Sequence, residues 1–409
     1  MSTEKKPGFS QLAQQAMSHM PLESMVMIKQ SKKHLLIGIP KEVAYQEKRV
    51  GLSPSSVNLL VNNGHRVWIE TMAGDKANFT DNDYSEAGAE IMYKKEEVYK
   101  ADIVLKVAPP TLEEIEMLEN GNVLISAIRH ASVTSEYVAA LNKKKITSLA
   151  YEYIRDESGI FPIVRSMSEL VGNTCVLIAA EYLSNINDGK GMMLGGISGV
   201  PPTEVVIIGA GTVGEYATRA AIGLGAEVKV FDNSLYRLRR LQNDVGQRVF
   251  TSVIQPKVLS KALSTCDVAI GALRPVKWRS PCVVSEEMVE NMNEGAVIMD
   301  VSIDHGGCFE TSVPTNHKNP IFVKHGVIHY CVPNIASRVS RTASYALTNV
   351  FAPILLDVAD LGGIKNMLWE RPGVRNGVYT YQGNLTNKYL AEVFEIPYKD
   401  LDLLMAARL

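Results

Sequence analysis

With 409 residues, 46% of them hydrophobic, the chain is long enough to bury two or three cores. A formal charge of −2 leaves no basic excess for a nucleic-acid surface, and no unbroken apolar run reaches the roughly eighteen residues that cross a bilayer. Five cysteines (Cys175, Cys266, Cys282, Cys308 and Cys331) are odd in number and lack CxxC spacing, which argues against a disulfide framework or a zinc knuckle and for the reducing cytoplasm.

The first 33 residues mix Glu4, Lys5 and Lys6 with a Met-rich stretch, AMSHMPLESMVMIK, and lack the apolar centre of a secretory signal. They read as a peripheral helix or loose tail, or as a partner-binding arm. Folding begins at HLLIGIPKE, an apolar run closed by Pro40. SPSSVNLLVNNGH predicts a helix with Ser53 as cap and Gly64 as stop. RVWIETM, ADIVLKVAPP and GNVLISAI predict strands, and LEEIEMLEN and TSEYVAALNKKK predict helices between them. Such alternation implies a parallel, doubly wound sheet.

A second unit starts within IRDESGIFPIVRSMSEL, and VGNTCVLIAAEYLSN predicts a long buried helix. The loop GKGMMLGGISGVPP leads into EVVIIGAGTVGEYATRAAIGLGAEVKVFD, where Gly209, Gly211 and Gly214 form G-x-G-x-x-G between a buried strand and a small-residue helix. Gly209 permits the tight turn, Gly211 lets backbone approach a pyrophosphate, and Gly214 lets the helix close onto the strand. Asp232, about 20 residues on, stands where an acid bonds both ribose hydroxyls and repels a 2′-phosphate, favouring NAD over NADP. Arg237 and Arg239 follow closely and pull the other way. Strand–helix alternation continues through VIMDVSID and GVIHYCVPNIA, and the chain closes in ASYALTNVFAPILLDVADLGG and further helical residues. Ligands in such sheets sit at the carboxyl ends of strands, which makes Leu273, Arg274, Asp304, Pro333 and Asn334 candidates for the cofactor wall. Asp304, before two glycines, has a second reading as a turn former.

Three basic residues stand near strand ends in the first half. Arg49 belongs to a charged cluster with Lys41, Glu42, Glu47 and Lys48 and reads either as a site residue or as solvated surface. Lys106 interrupts IVLKVAPP, where an ammonium is costly unless an anion pairs with it. His130 closes VLISAIRH, as a site residue or an exposed strand end. An oxo-acid or amino-acid carboxylate matches an Arg–Lys pair, with a histidine and an aspartate as acid and base.

Taken together, IGIPKEVAYQEKRVGLSP, VLKVAPP, SLAYEYI, MLGGISGVPP, VVIIGAGTVG, DVSIDHGGCFETS and HYCVPNIASRVSRTASYALTN resemble the alanine dehydrogenase family, which shares its fold with the NAD(H)-binding subunit of proton-translocating transhydrogenase. The resemblance runs from about residue 35 to 350. It implies two doubly wound Rossmann-like domains of α/β class with parallel sheets and a cleft between them. An extension (1–33) precedes a substrate domain (34–162), an inserted NAD domain (163–340) and C-terminal helices that complete the substrate domain (341–409). Arg49 and Lys106 are implied to hold the substrate carboxylate and Asp304 to act as acid/base, with His130 the candidate histidine of the pair. Cofactor contacts are implied at Ser168, Thr212, Asp232, Arg237, Leu273, Arg274, Val301, Ser302, Ile303, Asp304, Pro333, Asn334, Ile335 and Ala336. A homohexamer is the implied assembly.

Two positions depart from the pattern. The family's catalytic histidine aligns with Arg129, one residue before His130, and a one-residue slip on a strand turns a side chain to the opposite face. A cofactor-contacting serine aligns with Ile254. The expected activity is NAD-dependent, reversible oxidative deamination of L-alanine to pyruvate and ammonia, with no metal, membrane or nucleic-acid partner. The rivals are a dehydrogenase of another amino or imino acid and a non-catalytic NAD(H)-binding protein.

Overall fold

The computed structural model describes residues 33–128, 133–274 and 279–407. Fifteen strands among the described residues form two sheets. The first half supplies β1 (Leu36–Ile39), β2 (Arg66–Glu70), β3 (Glu90–Met92), β4 (Ile103–Leu105), β5 (Val123–Ser126) and β6 (Thr147–Ala150). The middle supplies β7 (Glu204–Ile208), β8 (Glu227–Phe231), β9 (Phe250–Ser252), β10 (Val268–Gly271), β11 (Val297–Asp300), β12 (Ile321–Lys324) and β13 (Val327–Tyr330). The chain then returns to the first sheet with β14 (Val378–Tyr381) and β15 (Asn384–Leu385), so its C-terminal part contributes strands as well as helices.

Spatial order in the first sheet is β15-β14-β6-β5-β4-β1-β2-β3, and in the second β12-β13-β11-β10-β7-β8-β9. Pairing is parallel except at β14, β15 and β12. Every residue of β5, β6, β10, β11 and β13 is buried, the continuous apolar habit of strands covered on both faces. Chain order reverses between β1 and β4 in one sheet and between β7 and β10 in the other, and such switch points open crevices at the strands' carboxyl ends.

The helix Pro162–Leu183 links the lobes. Ile163 and Met167 pack into the first sheet's core, whereas Cys175, Val176, Ile178 and Ala179 pack into the second's. A Cβ on Gly172 would lie 2.5 Å from the Val213 carbonyl, so glycine lets this helix close onto Thr212–Gly223. The helix Ser340–Asp360 returns to the first core through Leu347, Phe351 and Leu355. Pro162–Leu183 and Ile335–Asp360 are long and apolar enough to cross a membrane by length and composition, yet both pack into these cores. All five cysteines are free. Ser53 stands at the N-cap of the helix Pro54–Asn62 but makes no capping bond, its hydroxyl lying 3.0 Å from that of Ser55.

Candidate active site

Arg49 and Lys106 follow β1 and β4, the two strands that flank the first switch point. Arg49 is not part of a solvated cluster. Glu42, Glu47 and Arg49 are buried, with Glu47 close enough to Arg49 and Glu42 close enough to Lys106 to replace water, whereas Lys48 is exposed. The Arg49 guanidinium is paired side-on with Glu47, Nε to Oε1 at 2.8 Å and an Nη to Oε2 at 2.8 Å. Among the described residues its other terminal nitrogen meets a weak acceptor, the Met167 thioether at 3.5 Å. Burial opposes the charge of Arg49, but Glu47 overrides it and holds the guanidinium above its usual pKa.

Lys106 is 1% exposed. Its Nζ lies 3.2 Å from Glu114 Oε1, 3.6 Å from Glu42 Oε2 and 3.4 Å from the Tyr99 hydroxyl. Glu42 Oε1 accepts the Val107 N–H at 2.5 Å and its Oε2 accepts the Ala108 N–H at 3.3 Å, fixing the backbone just past Lys106. Burial pushes the Glu42 carboxyl above its ordinary pKa, with Lys106 pulling it back down. Glu114 serves two ends. It closes a capping box with Thr111, accepting that residue's N–H at 2.9 Å, and it pairs with Lys95 at 3.2 Å as well as with Lys106. Burial works against its charge, but Lys106 and the Thr111 N–H hold its pKa below the usual carboxylate value.

At the second switch point the glycines fit a pyrophosphate. Gly209 has φ +117°, and a Cβ there would lie 2.4 Å from the Ala272 carbonyl. A Cβ on Gly214 would lie 1.8 Å from the Gly209 carbonyl, whereas one on Gly211 would meet nothing within 4 Å. Gly211 is the uncapped start of the helix Thr212–Gly223, so unpaired N–H groups and partial positive charge face open space. Asp232, 3% exposed, accepts the Ala210 N–H at 2.8 Å and the Ser234 N–H at 2.7 Å, leaving lone pairs for a ribose. Arg237 stands 3.6 Å from the same carboxylate on its exposed side.

Asp304 is exposed on the short 3-10 turn Val301–His305, directly after β11. That turn is tethered by buried Asp300, which accepts the N–H groups of Ser302 at 3.0 Å, Cys308 at 2.9 Å and Phe309 at 3.4 Å. The Ser302 hydroxyl donates to the Leu273 carbonyl at 3.1 Å, joining the ends of β10 and β11. Ile303, Ile335 and Ala336 are buried, Leu273, Val301, Pro333 and Asn334 half-buried, and Arg274 exposed. Ser168, half-buried on the long helix, donates to the Val164 carbonyl at 2.7 Å. Ile254 is partly buried beside the second core, its N–H bonded to Asn233 Oδ1 at 3.1 Å. Arg129 and His130 lie outside the described residues.

The structure brings Arg49 to Asn334 through Glu47. Sequence reading missed Glu42, Glu47, Glu114 and Ser337. A signal existed for Glu114 alone: Thr-x-x-Glu before an apolar helix announces a capping box, though not an ion pair. Elsewhere, Glu286, Glu290 and His325 could converge on a metal ion, but they are at the surface and Lys324 already stands 2.6 Å from Glu286.

Two family models match the chain in succession. The N-terminal domain of alanine dehydrogenase/PNT matches residues 38–171, and its C-terminal domain matches residues 175–388. Alanine dehydrogenase 2 of Staphylococcus aureus (strain USA300) is 40% identical over 367 residues, covering 90% of this chain and 98% of that protein. A solved L-alanine dehydrogenase superimposes with a TM-score of 0.83 at 36% identity, covering 88% of this chain and 99% of the other. Transhydrogenase from Sinorhizobium meliloti, at 24% identity and TM-score 0.74 over 87% of this chain and 99% of its own, is a likeness of fold alone. By sequence and by fold, the chain belongs to the alanine dehydrogenase/PNT family.

Proposed function

We propose that this protein is an alanine dehydrogenase that interconverts L-alanine and pyruvate plus ammonia with NAD. The observation that carries this reading is the pair of buried cations, Arg49 and Lys106, at the carboxyl ends of the two strands flanking one switch point. A bound nicotinamide supplies the hydride acceptor. Arg49 offers planar donors and Lys106 a point charge to one small carboxylate, which fixes C2 of the substrate. Holding the reactants in line accounts for much of the rate, since effective molarities reach about 10⁵–10⁸ M in the best cases. Asp304, on its tethered turn, accepts the amino proton and guides water toward C2, with His130 as the second acid/base group.

NAD rather than NADP is supported by Asp232, whose buried carboxylate opposes a 2′-phosphate. A cytoplasmic address is supported by five free cysteines. A homo-oligomer, hexameric by family resemblance, is supported by exposed Leu177, Met193, Ile197 and Val200 around the loop before β7. Steady-state assay with L-alanine and NAD tests the reading, with a panel of oxo-acids, ammonia and NADH to expose another preferred substrate. NADH binding without turnover on any of them refutes it in favour of a non-catalytic NAD-binding protein.

A further inference from the structure

The Glu47 carboxylate is fully buried and gathers donors from both lobes. Three come from Arg49: Nε, one Nη and its backbone N–H, the last at 3.2 Å. Two come from residues almost three hundred positions later in the chain. Asn334 Nδ2 donates to Oε2 at 3.0 Å and the Ser337 hydroxyl donates to Oε1 at 2.9 Å. Asn334 Nδ2 also reaches Ser337 Oγ at 2.8 Å, so the two later residues are locked together. Asn334 has φ +59°, a left-handed conformation that sets its side chain and carbonyl at the mouth of the turn Ile335–Val339. A second stitch runs beside the first. The His317 N–H donates to Gln46 Oε1 at 2.7 Å, and the His317 ring nitrogen Nε2 lies 3.2 Å from the Asn334 carbonyl.

We propose that Glu47 is a positioning residue through which the nucleotide lobe sets the plane of the Arg49 guanidinium; this rests on the reading of Arg49 as the carboxylate clamp. Side-on pairing occupies Nε and one terminal nitrogen and turns the remaining edge toward Met167, whose thioether a substrate carboxylate displaces readily. Among the described residues Glu47 is the carboxylate that holds the guanidinium on that side, so Arg49 is aimed as well as Glu47 itself is aimed, and Asn334 and Ser337 take part in aiming Glu47. Substrate capture therefore depends on where the segment following β13 stands, and that same segment carries the expected nicotinamide wall. The arrangement places the carboxylate correctly only when both lobes are in register.

The test uses Ser337→Ala, Glu47→Gln, Glu47→Asp and Arg49→Lys in the full-length protein, with steady-state kinetics in L-alanine and fluorescence titration of NADH. Ser337→Ala should raise KM for L-alanine about fivefold, with kcat and the NADH Kd each changed less than about twofold. Glu47→Gln should raise KM further, Glu47→Asp should recover part of that loss, and Ser337→Ala should add nothing to Glu47→Gln, because both act through one carboxylate. A residue that only stabilised the fold would lower the denaturation midpoint and leave KM of the folded enzyme unmoved. Should Glu47→Gln fail to fold, Ser337→Ala decides alone. If Ser337→Ala, and Glu47→Gln where it folds, keep KM within about twofold while Arg49→Lys loses at least about a hundredfold in kcat/KM, the proposal is overturned and the clamp reading stands. If Arg49→Lys also keeps its KM, the clamp reading falls and takes the proposal with it.

Discussion

Replacing Lys106 by methionine keeps the length and apolar stem of the side chain and removes only the ammonium. The structure fixes what is lost. Two buried carboxylates, Glu114 at 3.2 Å and Glu42 at 3.6 Å, lose their shared counter-ion. Each contact amounts to about 5 kcal/mol of Coulomb attraction at an effective dielectric of about 20, before desolvation is set against it. Breaking a buried pair by deleting one partner costs about 3–5 kcal/mol net. The lower end applies here, since Lys95 still stands 3.2 Å from Glu114 and Glu42 can take up a proton. We expect about 3 kcal/mol of lost stability at neutral pH. The pH dependence follows from Glu42. Burial already raises its folded pKa above the ordinary 4.5, and Lys106 is the main opposing pull. Without that pull the native state holds the Glu42 proton more tightly than the unfolded chain does, so the deficit widens as pH rises from about 5 toward 8. On the substrate side, one charge-assisted hydrogen bond of about 1.5–3 kcal/mol disappears, which is about a 10- to 150-fold loss in kcat/KM for L-alanine. Urea denaturation across pH and steady-state kinetics measure the two effects, with NADH titration as the control for an intact cofactor lobe. A variant with unchanged kcat/KM, or one whose stability deficit shrinks as pH rises, refutes the reasoning.

Four other outcomes are expected. Asp304→Asn should lower kcat by about 100- to 10,000-fold while NADH binding survives, as single-turnover assay and titration will show. Asp232→Asn should weaken NADH and strengthen NADPH, each by about tenfold or more, in direct titrations, because the ribose acceptor and the repulsion of a 2′-phosphate go together. Gly214→Ala drives a methyl into the Gly209 carbonyl and should cost about 2–3 kcal/mol in denaturation while abolishing NADH binding. His329 is buried between Thr311 Oγ1 at 2.8 Å and the Val327 carbonyl at 2.9 Å, and burial lowers its pKa below the ordinary 6.5. Below that value the unfolded chain binds a proton that the native state refuses, so stability should fall with pH by up to about 1.4 kcal/mol per unit, and His329→Gln should flatten the slope.

The chain's own order of residues determined the α/β class, most of the strands and helices, and the dinucleotide loop, because each rests on local patterns. Buried parallel strands read as short apolar runs, and the spacing of Gly209, Gly211 and Gly214 states a backbone requirement directly. The long helices around VGNTCVLIAAEYLSN and ASYALTNVFAPILLDVADLGG were equally plain. Lys106 announced itself by charge in an apolar run, but its partners did not, since Glu42 lies 64 residues away and Glu114 reads as a helix-cap acid. The return of β14 and β15 to a sheet begun more than two hundred residues earlier was also hidden, for nothing in VYTYQGNL names its neighbour. Only the tertiary structure decided that Glu47 and Arg49 are interior while Lys48 between them is exposed. Charge in a short polar stretch is solvated by default, and what removes water from Glu47 and Arg49 is the arrival of Asn334 and Ser337 from the other lobe, a contact that no local pattern encodes.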